Sequence, residues 1–156
     1  MTISVWRIAE VTPEYSADDL SGLGAKRSGG RWNSKGCPVI YASENIALAV
    51  LETIVHIRPA KQPQNRYLVR INIPNDVWHL RSQLNSPPVG WDAEPFGKPG
   101  IKAGDVWLRD RLTALLVVPS VIVPEECTVL LNPEHPDAMR VTATMLRKWN
   151  YDCRCF

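Results

Sequence analysis

No apolar run in these 156 residues approaches the roughly 20 that a membrane-spanning helix needs. The opening MTISVWRIAE also lacks the basic region and apolar stretch of a signal peptide. A soluble, cytoplasmic protein without membrane contact is expected. Neither sign of charge dominates, with Lys and Arg at 18 against Asp and Glu at 16, so the whole-molecule field pulls only weakly on nucleic acid. An RNA-cleaving enzyme is disfavoured, because no basic stripe with interleaved aromatics is present to track a phosphate backbone. The four cysteines, Cys37, Cys127, Cys153 and Cys155, contain one C-x-C and no spacing of a zinc knuckle or a CxxC redox pair. His56, His79 and His135 show no H-x-x-x-H spacing, so no metal is expected and each histidine reads as surface or capping. A G-x-S-x-G turn and a P-loop are both absent, and Gly22-Leu23-Gly24-Ala25-Lys26-Arg27 does not complete G-x-G-x-x-G. Those absences disfavour a hydrolase built on that serine turn, a P-loop kinase and a Rossmann dehydrogenase.

What is present suits one domain spanning 1–156, because 45% hydrophobic side chains in a chain of this length can bury a core. Ile3 to Ala9 reads as a strand whose apolar run Arg7 interrupts, and an arginine there needs a partner. Ala17 to Gly36, with glycines at 22, 24, 29, 30 and 36 and cations at Lys26, Arg27, Arg31 and Lys35, reads as a flexible basic loop. Pro38 to Ala42 reads as a strand, with Ser43 as cap of a helix from Glu44 to Arg58 that Pro59 halts. On that helix Ala47, Val50, Leu51 and Ile54 form the predicted buried stripe, which puts Glu52 opposite it. Tyr67 to Ile73 alternates as a strand, and the prolines and glycines from Asn85 to Gly104 predict a long loop. Asp105 is the expected cap of a helix through Leu112, followed by strands at 114–118, 121–123 and 128–131. A last helix over 137–149 and a terminal strand at YDCRCF complete the expectation, with no internal repeat.

Three neighbours in sequence could carry chemistry. The Gly-rich loop with Arg31 can approach a pyrophosphate, and a guanidinium fork can hold phosphate oxygens through paired hydrogen bonds. Tyr41, ending an apolar strand, can stack on a planar ring, although such a tyrosine is more often core with a wet tip. Glu52 can support positive charge on a sugar ring, although a glutamate on a polar helix face is ordinarily solvated. The six tryptophans could include a ring-stacking platform, with core packing the commoner use.

The run Gly30-Arg31-Trp32-Asn33-Ser34-Lys35-Gly36-Cys37-Pro38-Val39-Ile40-Tyr41-Ala42-Ser43, then Ala47-Leu48-Ala49 and Leu51-Glu52, resembles the RES family. Val118-Pro119-Ser120 and Leu130-Leu131-Asn132-Pro133-Glu134-His135-Pro136 resemble it too, in the same order, from Val5-Trp6-Arg7 to Tyr151-Asp152-Cys153-Arg154. Cys127-Thr128 departs from the more polar strand start expected in relatives. The resemblance implies an α+β fold of ADP-ribosyltransferase type, with mixed sheets and flanking helices. It implies a bacterial toxin of a toxin-antitoxin pair that breaks the nicotinamide–ribose bond of NAD as substrate, without a further cofactor, depleting cellular NAD and arresting growth. Hydrolysis, phosphorolysis and ADP-ribosylation of a protein all remain open, as does a noncatalytic nucleotide-binding module. The family's arginine, glutamate and serine fall on Arg31, Glu52 and Ser120, with Ser43 the competing serine. Arg31, Tyr41 and Glu52 would be catalytic, and Arg7, Arg31, Tyr41 and Ser120 would contact or orient NAD. An Xre-like helix-turn-helix antitoxin is the implied partner and would supply any contact with DNA; a homodimer is left open.

Overall fold

Strand β1 (Thr2–Glu10) is rich in β-branched and apolar residues, and it lies between two other strands inside the sheet. The computed structural model describes residues 1–58 and 62–156. After β1 come α1 (Leu23–Ser28), β2 (Ile40–Ser43), α2 (Ile46–Ile54), β3 (Arg66–Pro74) and α3 (Asn75–His79). The rest comprises β4 (Ser82–Gln83), α4 (Lys98–Asp110), β5 (Leu115–Pro119), β6 (Cys127–Leu131) and β7 (Thr142–Lys148). The strands form one seven-stranded mixed sheet in the order β4-β5-β6-β2-β1-β3-β7, antiparallel except for β4 beside β5. This is an α+β domain, as expected.

The sheet is nearly two sheets. β1 pairs with β3 along its whole length from Thr2 to Glu10, whereas β1 meets β2 in register only at Trp6 opposite Ser43. Beyond that pair, Arg7 to Glu10 have no strand partner on that side among the described residues. The ribbons β4-β5-β6-β2 and β1-β3-β7 therefore part there.

Strand alternation assigns the core. Val5, Ala9, Ile40, Ala42, Val69, Ile71, Leu115, Val117, Val129 and Leu131 share one buried cluster that spans both ribbons. On the opposite face, Trp107 and Leu108 of α4 pack with Trp32, Leu116, Val118 and Leu130. Ala49 of α2 packs with Ile8, Leu68 and Tyr151.

Several sequence expectations are corrected. Within the expected loop of 17–36, Leu23–Ser28 is helical, stopped by Gly29 at φ 69. The cap of α2 is Asn45, whose side chain accepts from the Leu48 amide at 2.8 Å; Ser43 ends β2 instead. The helix ends at Ile54, and the expected stop at Pro59 lies outside the described residues. Of the predicted stripe Val50 and Ile54 do pack against the core, but Ala47 and Leu51 are exposed and Leu48 and Ala49 are the buried residues, so the stripe is rotated and Glu52 faces inward. The loop of 85–104 yields its last third, from Lys98, to α4. Gly100 and Gly104 there serve close contact, since a Cβ at 104 would lie 1.7 Å from the Trp32 carbonyl oxygen. Asp105 sits inside α4 and accepts from the Ser34 amide at 2.9 Å and from the Ser34 hydroxyl, rather than capping. Residues 121–123 form a bend, 137–149 hold a 3-10 turn and β7 in place of a helix, and Cys153–Cys155 is a 3-10 turn in place of a strand.

Candidate functional site

A cleft of about 1140 Å³ opens where the ribbons part, between Trp6 to Glu10 of β1 and Tyr41 to Ser43 of β2. The α1 segment, Gly29 to Trp32, the inward side of α2 and the loop from Asp92 to Phe96 complete its lining. Its volume exceeds the roughly 300–1,000 Å³ of ordinary small-ligand pockets and gives room for an elongated molecule.

Glu52 reaches this cleft from α2 because Leu48 and Ala49, four and three residues earlier, anchor the same face in the core. Its Oε1 accepts the Ser120 hydroxyl at 2.8 Å. Ser120 is 1% exposed and accepts from the amides of Ile122 at 3.1 Å and Val123 at 3.2 Å. With its oxygen fixed by two donors, that hydroxyl must present its proton to Glu52. The N-terminus of α2 is pinned across the molecule as well, through Asn45 Nδ2 donating to Glu126 at 3.0 Å. Ser43, 3% exposed, lines the cleft wall at the end of β2.

Tyr41 lines the cleft, and its hydroxyl holds the Gly-rich turn. The hydroxyl accepts from the Trp32 amide at 3.0 Å and donates to Asn33 Oδ1 at 2.6 Å. Asn33, fully buried, donates in turn to the carbonyls of Ala25, Ser34 and Cys37. Burial pushes the Tyr41 phenol well above its ordinary pKa, so it stays protonated. The turn, expected to be flexible, is cross-linked from inside.

Arg31 is drawn into the same construction. Nη1 donates to the carbonyls of Trp91 and Ala93, both at 2.8 Å, and Nη2 to the Glu94 carboxylate at 3.0 Å. Trp91 stacks on Trp32 with centroids 5.8 Å apart, so arginine and indole together hold the 91–96 loop over the cleft.

Arg7, half-buried, lines the cleft from β1 on the face shared with Val5 and Ala9. Burial pushes its pKa down, opposed by Asp19 and Tyr15, while the nearby Arg66 adds to the lowering. A guanidinium stays charged regardless. Arg66 also lines the cleft, with Glu10 at 3.8 Å and a buried Nε that lacks a partner among the described residues.

Sequence reasoning missed Asn33, Arg66, Glu94 and Asp105. Asn33 lay inside the quoted Gly-rich run, and an asparagine amid glycines is a turn signal. Nothing local marked Glu94, and Asp105 was marked only as a helix cap; their partners lie 63 and 71 residues away. Among the described residues no cluster of His, Cys, Asp and Glu could hold a metal, and no helix is long and apolar enough to cross a membrane. Burial pushes the Cys37 and Cys127 thiols upward in pKa, away from the nucleophilic thiolate.

A family model described as the RES domain matches residues 4–153. The chain is 52% identical to the "Prs ADP-ribosylating toxin" of Sphingobium sp. (strain YBL2), covering 99% of this chain and 97% of that one. It is 38% identical to the "Toxin Res" of Pseudomonas putida, covering 86% and 87%, and 37% identical to that of Yersinia enterocolitica, covering 80% and 82%.

Proposed function

This chain belongs to the RES domain family, and we propose that it is a toxin that splits NAD at the nicotinamide–ribose bond and transfers ADP-ribose to a protein. The observation carrying this reading is Glu52 on the cleft wall, oriented by the buried Ser120 hydroxyl and standing apart from two arginines, Arg7 and Arg66. A dinucleotide needs these features: a carboxylate for the ribosyl centre, cations for the pyrophosphate and length to hold both.

Nicotinamide leaves as a neutral ring, taking the electron pair of the C1′–N bond, and therefore needs little acid assistance. The barrier lies in the electron-poor ribosyl centre left behind. Glu52 accepts hydrogen bonds from ribose hydroxyls and stabilises the oxocarbenium-like charge, a preorganised electrostatic contribution. Ser120 acts through Glu52 and does not touch NAD. The Tyr41 ring bounds the nicotinamide end, and Arg7 with Arg66 holds phosphate oxygens.

Transfer is favoured over hydrolysis because the 52% identical relative is named an ADP-ribosylating toxin. Water or phosphate as acceptor would give a glycohydrolase or phosphorylase on the same first step. An Xre-like antitoxin that blocks the cleft follows from the toxin reading, with the 87–97 loop as its contact and DNA reached only through it.

The test is protein freed of copurifying antitoxin, given NAD labelled in its adenylate half, with nicotinamide release and label transfer followed together. Nicotinamide release lost in Glu52→Gln establishes the bond cleaved, and label on protein establishes transfer. No release with water, phosphate and cell protein all supplied would overturn the enzyme reading in favour of a nucleotide-binding module.

A further inference from the structure

The two cationic poles of the cleft differ in one respect. Arg7 and Arg66 line the open cleft with the carboxylates of Asp19 and Glu10 near them, whereas Arg31 has both of its terminal nitrogens engaged by the 91–96 loop. Two of its partners are main-chain carbonyls, of Trp91 and Ala93. The third is a carboxylate on a side chain 77% exposed, while the Arg31 side chain is 13% exposed. The carbonyls are held by a loop that also stacks Trp91 on Trp32 and carries Phe96 beneath the guanidinium, 5.9 Å from it. The Glu94 carboxylate is held by the guanidinium alone among the described residues.

We propose that Glu94 is a built-in competitor for the substrate's anionic group: its carboxylate occupies the third position of the Arg31 fork and yields it when the cleft is loaded. The inference rests on the reading of this cleft as an NAD site. It adds that Arg31 has two simultaneous duties, ordering the 91–96 loop through Nη1 and receiving an anion through Nη2. An arginine is required for this, since an ammonium has no fixed fork that keeps two carbonyls aligned while a third partner is exchanged. The exchange is cheap because an exposed ion pair contributes little and is screened by salt. A phosphate oxygen replaces it with a hydrogen bond of the same charge-assisted kind.

The test compares Glu94→Gln with wild type by calorimetric titration with two probes, NAD and inorganic pyrophosphate. Asp92→Asn is the control, because Asp92 lines the same cleft on the same loop without touching Arg31. Glu94→Gln should bind both probes roughly twofold to fivefold more tightly, the range set by loss of one exposed ion pair. Asp92→Asn should change less than half as much. Equal gains in both variants would reduce the effect to general cleft charge and overturn the proposal. Unchanged or weakened binding in Glu94→Gln would make Glu94 a support of the loop and overturn it too. If NAD binds to no variant but pyrophosphate binding still improves in Glu94→Gln, the NAD reading fails while the competitor stands; if neither probe binds any variant, both fail.

Discussion

Ser120 shows how a buried hydroxyl outside the cleft lining can orient a carboxylate on the cleft wall. Its oxygen is saturated by the Ile122 and Val123 amides, leaving its proton to Glu52. Ser120→Ala removes that donor and strands two amides. It should lower kcat for nicotinamide release at least about tenfold with KM little changed, and destabilise the protein by about 1–3 kcal/mol in urea unfolding. Glu52→Gln keeps the hydrogen-bonding shape and loses the charge. A kcat loss of roughly 10²–10³ with unchanged stability is expected from steady-state kinetics and a thermal melt. Tyr41 supplies a test in pH. Its phenol ionises near 10 in the unfolded chain and, through burial, higher in the folded one. The unfolded state then releases its proton first, so stability is intact below about pH 10 and falls as pH rises above it. Urea midpoints across pH 8–11 should show that fall, and Tyr41→Phe should be flatter there though less stable throughout. Glu52, Tyr41 and Arg31 were legible in the sequence only because several blocks resembled one family. Their residue types alone could not distinguish a cleft from a solvated surface.

Elements were legible where one force dominated. β1 and β3 are buried in mid-sheet, and their alternation or β-branched content was enough. β7 is an edge strand with most residues exposed on both faces, so it carries no two-residue rhythm and was read as a helix. α2 was found but rotated, because Ala47 and Leu51 are apolar yet exposed, while its inward face includes a glutamate. The first half of α4 was read as loop because Pro99, Gly100 and Gly104 are turn residues by propensity, while its second half was expected as helix. Here the glycines bring the helix backbone against Arg31 and Trp32, a tertiary reason that no local pattern carries. Gly104→Ala would place its Cβ 1.7 Å from the Trp32 carbonyl oxygen, against 2.7 Å from the Arg31 carbonyl oxygen for Gly100→Ala. Both should destabilise, Gly104→Ala by about 3 kcal/mol and the more of the two, as ranked by thermal melts. Because Arg31 and Trp32 move with α4, Gly104→Ala should also weaken NAD binding.

The whole molecule is organised by the parting of its two ribbons at Trp6 and Ser43, with the cleft as the gap between them. A ligand spanning that gap binds the folded state alone. On the proposed reading, NAD at about 100 times its Kd should stabilise Glu52→Gln by roughly 2.7 kcal/mol, a rise of about 5–10 °C in Tm. No rise at saturating NAD, with the variant folded, would place the nucleotide elsewhere. Split ribbons also order events in time. Glu52 and its orienting Ser120 lie 68 residues apart in the chain, and apart from Ser43 opposite Trp6 the pairing of β2 is with β6, at Cys127–Leu131. A chain emerging from the ribosome therefore carries Arg31, Tyr41 and Glu52 well before the segments that seat them exist, and loop closure over such distances is the slow part of folding. On the proposed reading, that long-range closure acts as a delay: the nascent chain cannot split NAD until the segment carrying β6 has been made, and an inhibitor already present could meet the toxin as it forms.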